Sequence, residues 1–378
     1  MDAPPLQEEN VVDRAKVEHY QRTGCIPCFR MVERSAMEND FLHWHYQRFR
    51  TRVANGAVSM SLAPDDEGSS SNISVAACSP PWSELRFKAH LFLPWLFDLL
   101  VGSEVLKRYA ETMLLTEDER ELQHSSVVEH GEEQKAGKSK IKHSTPVVIW
   151  STDFCVKPAE SKAFFSWHQD STYSRFRGDQ GVTVWLAFSD VTERAGPVLF
   201  REGSHRLGQL PHDENVGQEG NMLAFGQTIE RDKLEAIRTD ERSFPTVAAI
   251  LAPGEASAHN FFVVHSSQAN QEHVDRVGLA IRLVRADAAI LEDAQQEDLR
   301  CDAPRMRRDR VTLLTGRPED VHGFELENHF WEEGERVWRA WRPTEEFGRK
   351  EMAEWKKSMD REKEMYFEGR GEGQQKYK

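Results

Sequence analysis

The sequence has no long apolar run and fewer basic than acidic residues, and both shortages limit what the protein can bind. No stretch of the 378 residues reaches the roughly 20 apolar residues of a transmembrane helix. Lysine and arginine number 49 against 63 acidic residues, which gives a formal net charge of -14. Nucleic acids and anionic membranes attract concentrated basic surfaces, so we expect neither among the partners of this chain. A small anion in a locally basic pocket is compatible with this charge.

Cysteine is also scarce, with five residues in the whole chain. An odd number without disulfide-framework spacing predicts free thiols in a reducing compartment. The opening MDAPPLQEEN is acidic where a secretory signal would be basic and then apolar, so we expect a cytoplasmic protein. Cys25 and Cys28 have the spacing of half a zinc site. No second CxxC or HxxxH follows them, which favours a structural or incidental role.

Composition and hydrophobic periodicity divide the chain into four regions. Residues 1–115 have mostly helical spacing, and we expect them to form helices and flanking segments that pack on a core. Residues 116–144 are charged and have no apolar face to bury, which predicts a mobile insertion. Residues 145–330 carry the core itself, and residues 331–378 have the composition of a helical tail.

The core region is rich in short β-branched and aromatic runs separated by turn residues. Seven such runs occur between residues 146 and 286: VVIWSTDFCV, AFFSW, VTVWLAFSDV, GPVLFRE, TVAAILA, SAHNFFVVH and VGLAIRLVRA. Strand-length runs at this spacing predict an antiparallel sandwich or jelly roll. The fold class we predict is mainly β with flanking helices.

Three residues of this region have the chemistry of a metal site. His168 and Asp170, in SWHQDSTY, share one face if the strand continues through them, because side chains alternate along a strand. His265 closes the later run FFVVH. Two histidines and one carboxylate on one face of an ion are the ligand set of non-haem iron(II) oxygenases.

An arginine follows the last of these residues at an informative distance. Arg276 lies eleven residues after His265, beyond the polar turn SSQANQEHVD and at the start of VGLAIRLV. A hairpin would return its guanidinium to the side of the metal strand. Arginine holds a carboxylate with two parallel hydrogen bonds, so a carboxylate cosubstrate beside the metal is the expectation.

These motifs resemble the phytanoyl-CoA dioxygenase (PhyH) family. The resemblance rests on WHQDSTY, VTVWLAFSDVTERAGPVLFREGSHRLG and LAPGEASAHNFFVVHSSQANQEHVDRVGLAIRLV, and it covers roughly residues 146–286. It implies a double-stranded β-helix (jelly-roll, cupin-like) core, with Fe(2+) as metal and 2-oxoglutarate and O2 as cosubstrates. The implied activity is a dioxygenase that hydroxylates or otherwise oxidises a small organic substrate, with release of succinate and CO2.

The resemblance also implies roles for single residues. His168, Asp170 and His265 match the iron ligands, and Arg276 matches the residue that binds the distal carboxylate of 2-oxoglutarate. Three further residues match positions beside the cosubstrate: Gln169, Trp185 and Ser267. Asp170 stands where halogenating relatives carry a small residue, so hydroxylation or a related oxidation is favoured over halogenation.

Three residues are candidates for substrate contact. Tyr173 and Arg175 follow the metal motif closely, and His259 lies six residues before His265, on the inward face if the strand is regular. The acidic composition and the lack of a basic run for a CoA diphosphate favour a small polar metabolite as substrate.

Two other functions remain open. The chain could be a binding or regulatory protein that keeps the barrel without turnover, although a decayed site usually loses a ligand. It could also be a different metal enzyme on a cupin-like barrel, such as a zinc or manganese isomerase. The second alternative leaves Arg276 without a function.

Overall fold

The computed structural model describes residues 12–32, 88–124, 145–174, 176, 180–213, 220–223, 228–288, 310–344, 346–347 and 350. Arg175, most of the predicted insertion and most of the predicted C-terminal tail lie outside the described residues. None of the helices in the described ranges is long and apolar enough to cross a membrane.

The described helices lie mainly before the first long strand. They are α1 (Arg14–Thr23), α2 (Ala89–Phe92), α3 (Pro94–Val101), α4 (Glu104–Leu114), α5 (Glu117–His124), α6 (Ser171–Ser174) and α7 (Arg231–Thr239). Pro94 is the first residue of α3. Proline has no backbone N–H, and a residue at this position does not need one for a helical hydrogen bond. Short 3-10 helices cover Glu193–Ala195, Ser204–Leu207 and Pro318–Asp320.

Two sheets face each other. The large sheet has the strand order β1 (Cys25–Arg30), β9 (Glu255–Asn260), β4 (Gly181–Ala187), β11 (Arg276–Arg285), β2 (Val147–Lys157), β12 (Arg310–Thr315) and β13 (Glu325–Leu326). The small sheet has the order β3 (Phe165–His168), β10 (His265–Ser267), β5 (Val198–Arg201) and β8 (Thr246–Ala248). Two-stranded ladders join β6 (His212–Asp213) to β7 (Thr228–Ile229), and β14 (His329–Glu332) to β15 (Val337–Ala340). The predicted double-stranded β-helix with flanking helices is confirmed.

The two faces of the large sheet differ in chemistry because side chains alternate along each strand. On β11, Val277, Leu279 and Ile281 point outward into an apolar cluster that also contains the helices α2, α3 and α4. Residues between them, such as Arg276 and Arg282, belong to the opposite face. The outward face therefore stabilises the fold, and the inward face is free to carry polar side chains.

A buried ion pair fixes α2 to the sheets. Lys88 and Glu327 are paired, and both side chains are fully buried. His90 bonds the hydroxyls of Thr152 on β2 and Thr312 on β12 at 2.8 and 2.9 Å. Because each buried polar group has a partner, this network tolerates its burial.

Two predicted elements differ from the structure. Residues 331–378 are predicted as a helical tail, but β14 and β15 form a hairpin whose turn includes Arg336 at φ 54°. Trp331 and Trp338 face each other across it with ring centroids 5.8 Å apart, so cross-strand aromatic packing outweighs a helical composition. The start of the predicted insertion forms α5, in which Glu119 pairs with Arg285 at 2.8 Å.

Candidate active site

Strand pairing within the small sheet brings the two candidate metal histidines together. His265 on β10 lies opposite His168 on β3, and their ring centroids are 4.1 Å apart. Asp170 follows β3 in the turn that leads into α6, where its carbonyl accepts the Ser174 N–H at 3.1 Å. The Asp170 Oδ1 lies 3.7 Å from His168 Nε2 and 3.5 Å from His265 Nε2. All three residues are buried, and their donor atoms lie within 4.8 Å of one another, so they could hold a metal ion.

Backbone carbonyls set the tautomer of both rings. The Nδ1 of His168 bonds the Ser166 carbonyl at 2.7 Å, and the Nδ1 of His265 bonds the Val263 carbonyl at 2.9 Å. A carbonyl only accepts, so each Nδ1 carries the proton and each Nε2 has a free lone pair. In each ring the lone pair therefore lies on Nε2, the nitrogen nearest Asp170. Hydrogen bonds from the other ring nitrogen orient metal-binding histidines in the same way.

The charge states suit a cation. Burial lowers the pKa of His168 to about 4 and holds the pKa of His265 well below its usual value. Burial would raise the pKa of Asp170, but the neighbouring His265, His259 and Arg282 outweigh it and keep the pKa well below the usual range. Two neutral imidazoles and one carboxylate are the forms that coordinate a divalent ion.

Four further residues support the carboxylate of Asp170. The Tyr173 hydroxyl donates to Oδ1 and in turn accepts from Arg282 Nη2 at 3.1 Å. The Thr183 hydroxyl donates to Oδ2, and the His259 Nε2 lies 3.2 Å from the same oxygen. Oδ2 therefore contacts Thr183 and His259, while Oδ1 faces the two candidate metal histidines and also accepts from Tyr173.

Two buried basic residues, Arg276 and Lys157, meet at Ser267, two residues after His265 on β10. Arg276 begins β11 directly opposite Lys157, the last residue of β2, and Arg276 Nη1 donates to the Ser267 Oγ at 3.1 Å and to the Gly196 carbonyl at 2.6 Å. Lys157 donates to the same Ser267 Oγ and to the Gln268 carbonyl. Neither cation forms an ion pair with a carboxylate in the described part of the chain, and the Arg276 Nε is buried there without a partner.

Burial has different effects on the charges of these two cations. It lowers the pKa of Arg276 to about 10, so the guanidinium stays charged. Burial, with the adjacent Arg276, lowers the pKa of Lys157 to about 6. Arg276 therefore keeps its charge without an anionic partner among the described residues, and Lys157 is mostly neutral near pH 7 until an anion beside it favours its protonated form. The pocket thus fits a carboxylate ligand.

Trp185 forms one wall of this pocket. The Arg276 guanidinium lies 5.0 Å from the centroid of the indole. The ring lies against Gly278, where a Cβ would be 1.9 Å from the indole Cζ2. Glycine at this position therefore lets Trp185 pack against the sheet beside Arg276.

Some predicted residues lie elsewhere in the site or outside the described chain. The Gln169 amide donates to the carbonyls of Gly208 and Phe262 and accepts from the Leu210 N–H, which leaves no group for the predicted cosubstrate contact. The Tyr173 hydroxyl donates to Asp170, and its contact with a substrate remains a prediction. Arg175 lies outside the described residues, and its substrate contact remains a prediction.

The position of His259 differs from the sequence expectation. The prediction placed it on one strand with His265, but β9 ends at Asn260 and β10 begins at His265. Between them the Asn260 carbonyl accepts the Val263 N–H and its Oδ1 accepts the Phe262 N–H, both at 2.9 Å, which makes a turn. His259 therefore approaches Asp170 from the large sheet, opposite His265.

Three site residues were missed from sequence: Lys157, Thr183 and Arg282. Each occupies an inward position of a strand that is otherwise strongly apolar. A charged residue inside such a run is a usable signal, since isolated buried charges are rare. These three side chains reach the same site only because β2, β4 and β11 pair with one another, and the sequence alone does not give that pairing.

The fold is that of the non-haem oxygenases with a cupin-like double-stranded β-helix. Within that class, residues 104–278 match the family model described as Phytanoyl-CoA dioxygenase (PhyH). The match confirms the resemblance seen in the motifs for this part of the chain. It includes the two histidines, Asp170 and Arg276.

Solved structures are similar at low sequence identity. A non-heme monooxygenase, ThoJ in its apo form, has a TM-score of 0.55 and 18% identity over 92% of this chain and 96% of its own. A ThoJ-Ni complex has a TM-score of 0.51 and 15% identity over 93% and 98%. EvdO2 from Micromonospora carbonacea var. aurantiaca, complexed with 2-oxoglutarate, has 0.46 and 19% over 75% and 94%. At these identities the likeness is one of fold, and no curated protein sequence matches the chain.

Proposed function

We propose that this protein is an Fe(II)- and 2-oxoglutarate-dependent dioxygenase that hydroxylates, or otherwise oxidises, a small organic substrate. One observation carries the proposal: a buried set of two histidines and Asp170 shares β10 with Ser267, where the buried Arg276 and Lys157 meet without a described carboxylate. The first group matches the ligands of non-haem iron(II), and the second matches a dicarboxylate cosubstrate. A zinc or manganese isomerase would have no use for the second group.

Each residue has a defined task in this proposal. His168, Asp170 and His265 hold the metal, and Arg276 with Lys157 holds the distal carboxylate of 2-oxoglutarate. When bound, iron with 2-oxoglutarate and O2 supplies the oxidising chemistry, with succinate and CO2 as coproducts. The protein orients these groups and excludes water from them, since the metal donors and both cations are buried.

The family model and the ThoJ structures support the assignment at the level of fold and chemistry class. The carboxylate of Asp170 favours oxygenation over halogenation, because it fills the position that a halide would need. We infer a small polar molecule as substrate, since the net charge of -14 disfavours large polyanions.

The direct test is succinate release by the iron-loaded protein supplied with 2-oxoglutarate and O2. Uncoupled turnover should be measurable before the substrate is known, and a screen of polar metabolites should find compounds that stimulate it. His265→Ala should abolish turnover. His273→Ala is the matched control. It removes a largely exposed histidine that follows His265 in the chain, and it should leave turnover unchanged.

The same assay discriminates the alternatives. A protein that binds iron and 2-oxoglutarate without releasing succinate under any screened condition would be a binding or regulatory protein. A protein with activity on zinc or manganese that ignores 2-oxoglutarate would be a different metal enzyme. Equal turnover in His265→Ala and the unmodified protein would overturn the ligand assignment.

A further inference from the structure

A second group of metal-binding side chains lies at the N-terminal end of the large sheet. His19 on α1, Cys25 at the start of β1 and Glu202 after β5 offer donor atoms that lie within 4.8 Å of one another. The His19 Nε2 and Glu202 Oε1 are 2.8 Å apart. The Cys25 side chain is fully buried, and among the described residues its Sγ has a weak 3.9 Å contact with the Thr23 hydroxyl.

The donors of this cluster suit one kind of ion. Thiolate, imidazole and carboxylate are the ligands of zinc, which prefers four-coordinate sites with bonds of about 2.0–2.3 Å. Such bonds place neighbouring ligands roughly 3.5 Å apart. The His19 and Glu202 donor atoms are 2.8 Å apart and all three donor atoms lie within 4.8 Å of one another, so side-chain shifts would complete the site. One thiolate and one carboxylate would also balance the charge of a divalent ion.

A fourth ligand is available beside the cluster. The ring of His205 packs against Gly24, where a Cβ would be 2.4 Å from the His205 Nδ1. That Nδ1 is buried and has no hydrogen-bond partner among the described residues. A buried ring nitrogen without a partner is unfavourable, and a metal bond would satisfy it. Gly24 adjoins Cys25 in the chain, so His205 lies near the cluster, although it is not one of the residues whose donor atoms lie within 4.8 Å of one another.

We propose that His19, Cys25 and Glu202 form a structural zinc site that joins α1 to both sheets of the barrel. The site differs from the candidate active site in its ligands, because only this one contains sulfur. Zinc binding releases the thiol proton of Cys25 and replaces the His19–Glu202 hydrogen bond with two metal bonds. His205 or a water molecule completes the coordination.

The test uses the sulfur ligand as a spectroscopic reporter. Metal-free protein is titrated with Co(II), which enters zinc sites and gives an intense thiolate-to-metal absorption only when sulfur is bound. We expect this band at about one equivalent, and its loss when zinc displaces cobalt. His168→Ala should keep the band, because the active-site ligands contain no sulfur. This result is independent of whether the protein releases succinate.

Two cysteine variants form a matched pair. Cys25→Ser should lose the band and weaken zinc binding by about 100-fold or more, since even outer partners of a metal site contribute about 10- to 100-fold. Cys28→Ser, on the same strand and only partly buried, should keep both. If Cys25→Ser does not fold, Glu202→Gln replaces it as the test. The Glu202 side chain is partly exposed, so this variant should fold, and it should bind zinc more weakly than the unmodified protein. No thiolate band in folded, reduced, unmodified protein would overturn the proposal.

Discussion

Replacement of Lys157 by methionine should stabilise the cosubstrate-free protein while it weakens 2-oxoglutarate binding. Lys157 is fully buried, and its hydrogen-bond acceptors among the described residues are the Ser267 hydroxyl and the Gln268 carbonyl. Arg276 lies beside it and adds like-charge repulsion. Methionine has nearly the same length and carries no charge, so the fold keeps its packing and loses an unfavourable group.

The magnitude follows from the pKa. Burial and Arg276 lower the pKa of Lys157 from 10.5 to about 6. At pH 7 the unfolded chain holds this proton and the folded chain releases it, which costs about 5 kcal/mol at roughly 1.4 kcal/mol per pH unit. The variant also loses the hydrogen bond to the Gln268 carbonyl, which reduces the gain in stability by about 1–3 kcal/mol. Lys157→Met should therefore raise the free energy of unfolding by about 2–4 kcal/mol.

The sign of the pH dependence is a second check on this prediction. Between pH 6 and 10.5 the unfolded state binds more protons at Lys157 than the folded state, so the unmodified protein gains stability as pH rises. The advantage of Lys157→Met should shrink over the same window. Urea denaturation of both proteins near pH 7 and near pH 9 measures the difference, and calorimetry should show 2-oxoglutarate binding about 10- to 100-fold weaker in the variant.

Lys88→Met is the matched control. Lys88 is equally buried but paired with Glu327, so its replacement leaves a buried carboxylate without its cation and should cost about 3–5 kcal/mol. Opposite effects of the same substitution at two buried lysines are therefore expected. If Lys157→Met destabilises the protein as much as Lys88→Met does, the pocket holds a compensating anion and the reasoning is refuted.

Three further predictions concern the same site. Gly278→Ala places a Cβ 1.9 Å from the Trp185 ring and should cost about 1–3 kcal/mol while it weakens 2-oxoglutarate binding; an unchanged Kd in titrations would contradict the role of the indole. Thr183→Val removes a hydrogen bond to Asp170 and should weaken Fe(II) binding about 10- to 100-fold in metal titrations, with equal affinity as the adverse result. Binding of 2-oxoglutarate near pH 7 should take up a proton at Lys157, seen as a buffer-dependent heat in calorimetry; the same heat in every buffer would exclude this.

Local patterns in the sequence predicted most of the fold and the centre of the site. Short β-branched and aromatic runs between turn residues located the strands, because this pattern is local. His168, Asp170, His265 and Arg276 were found because their order and spacing in the chain are distinctive. The structure brings these four residues to one end of the barrel.

Properties that depend on pairing between distant segments were not predictable. Lys157 joins Arg276 only through the register of β2 with β11. His259 was expected on the strand of His265, but the turn after Asn260 moves the chain from one sheet to the other. The composition of the hairpin around Trp331 is that of a helix, and only the cross-strand contact decides against it.

The turn between His259 and His265 has a consequence for how the site tolerates change. Within six residues the chain leaves the large sheet, crosses the barrel and enters the small sheet, so one segment approaches Asp170 from two sides. A single inserted or deleted residue there would shift a candidate ligand and its supporting histidine relative to each other. The length of this turn therefore sets the position of His265 relative to His259. We expect substitutions in the turn to be tolerated far better than insertions or deletions.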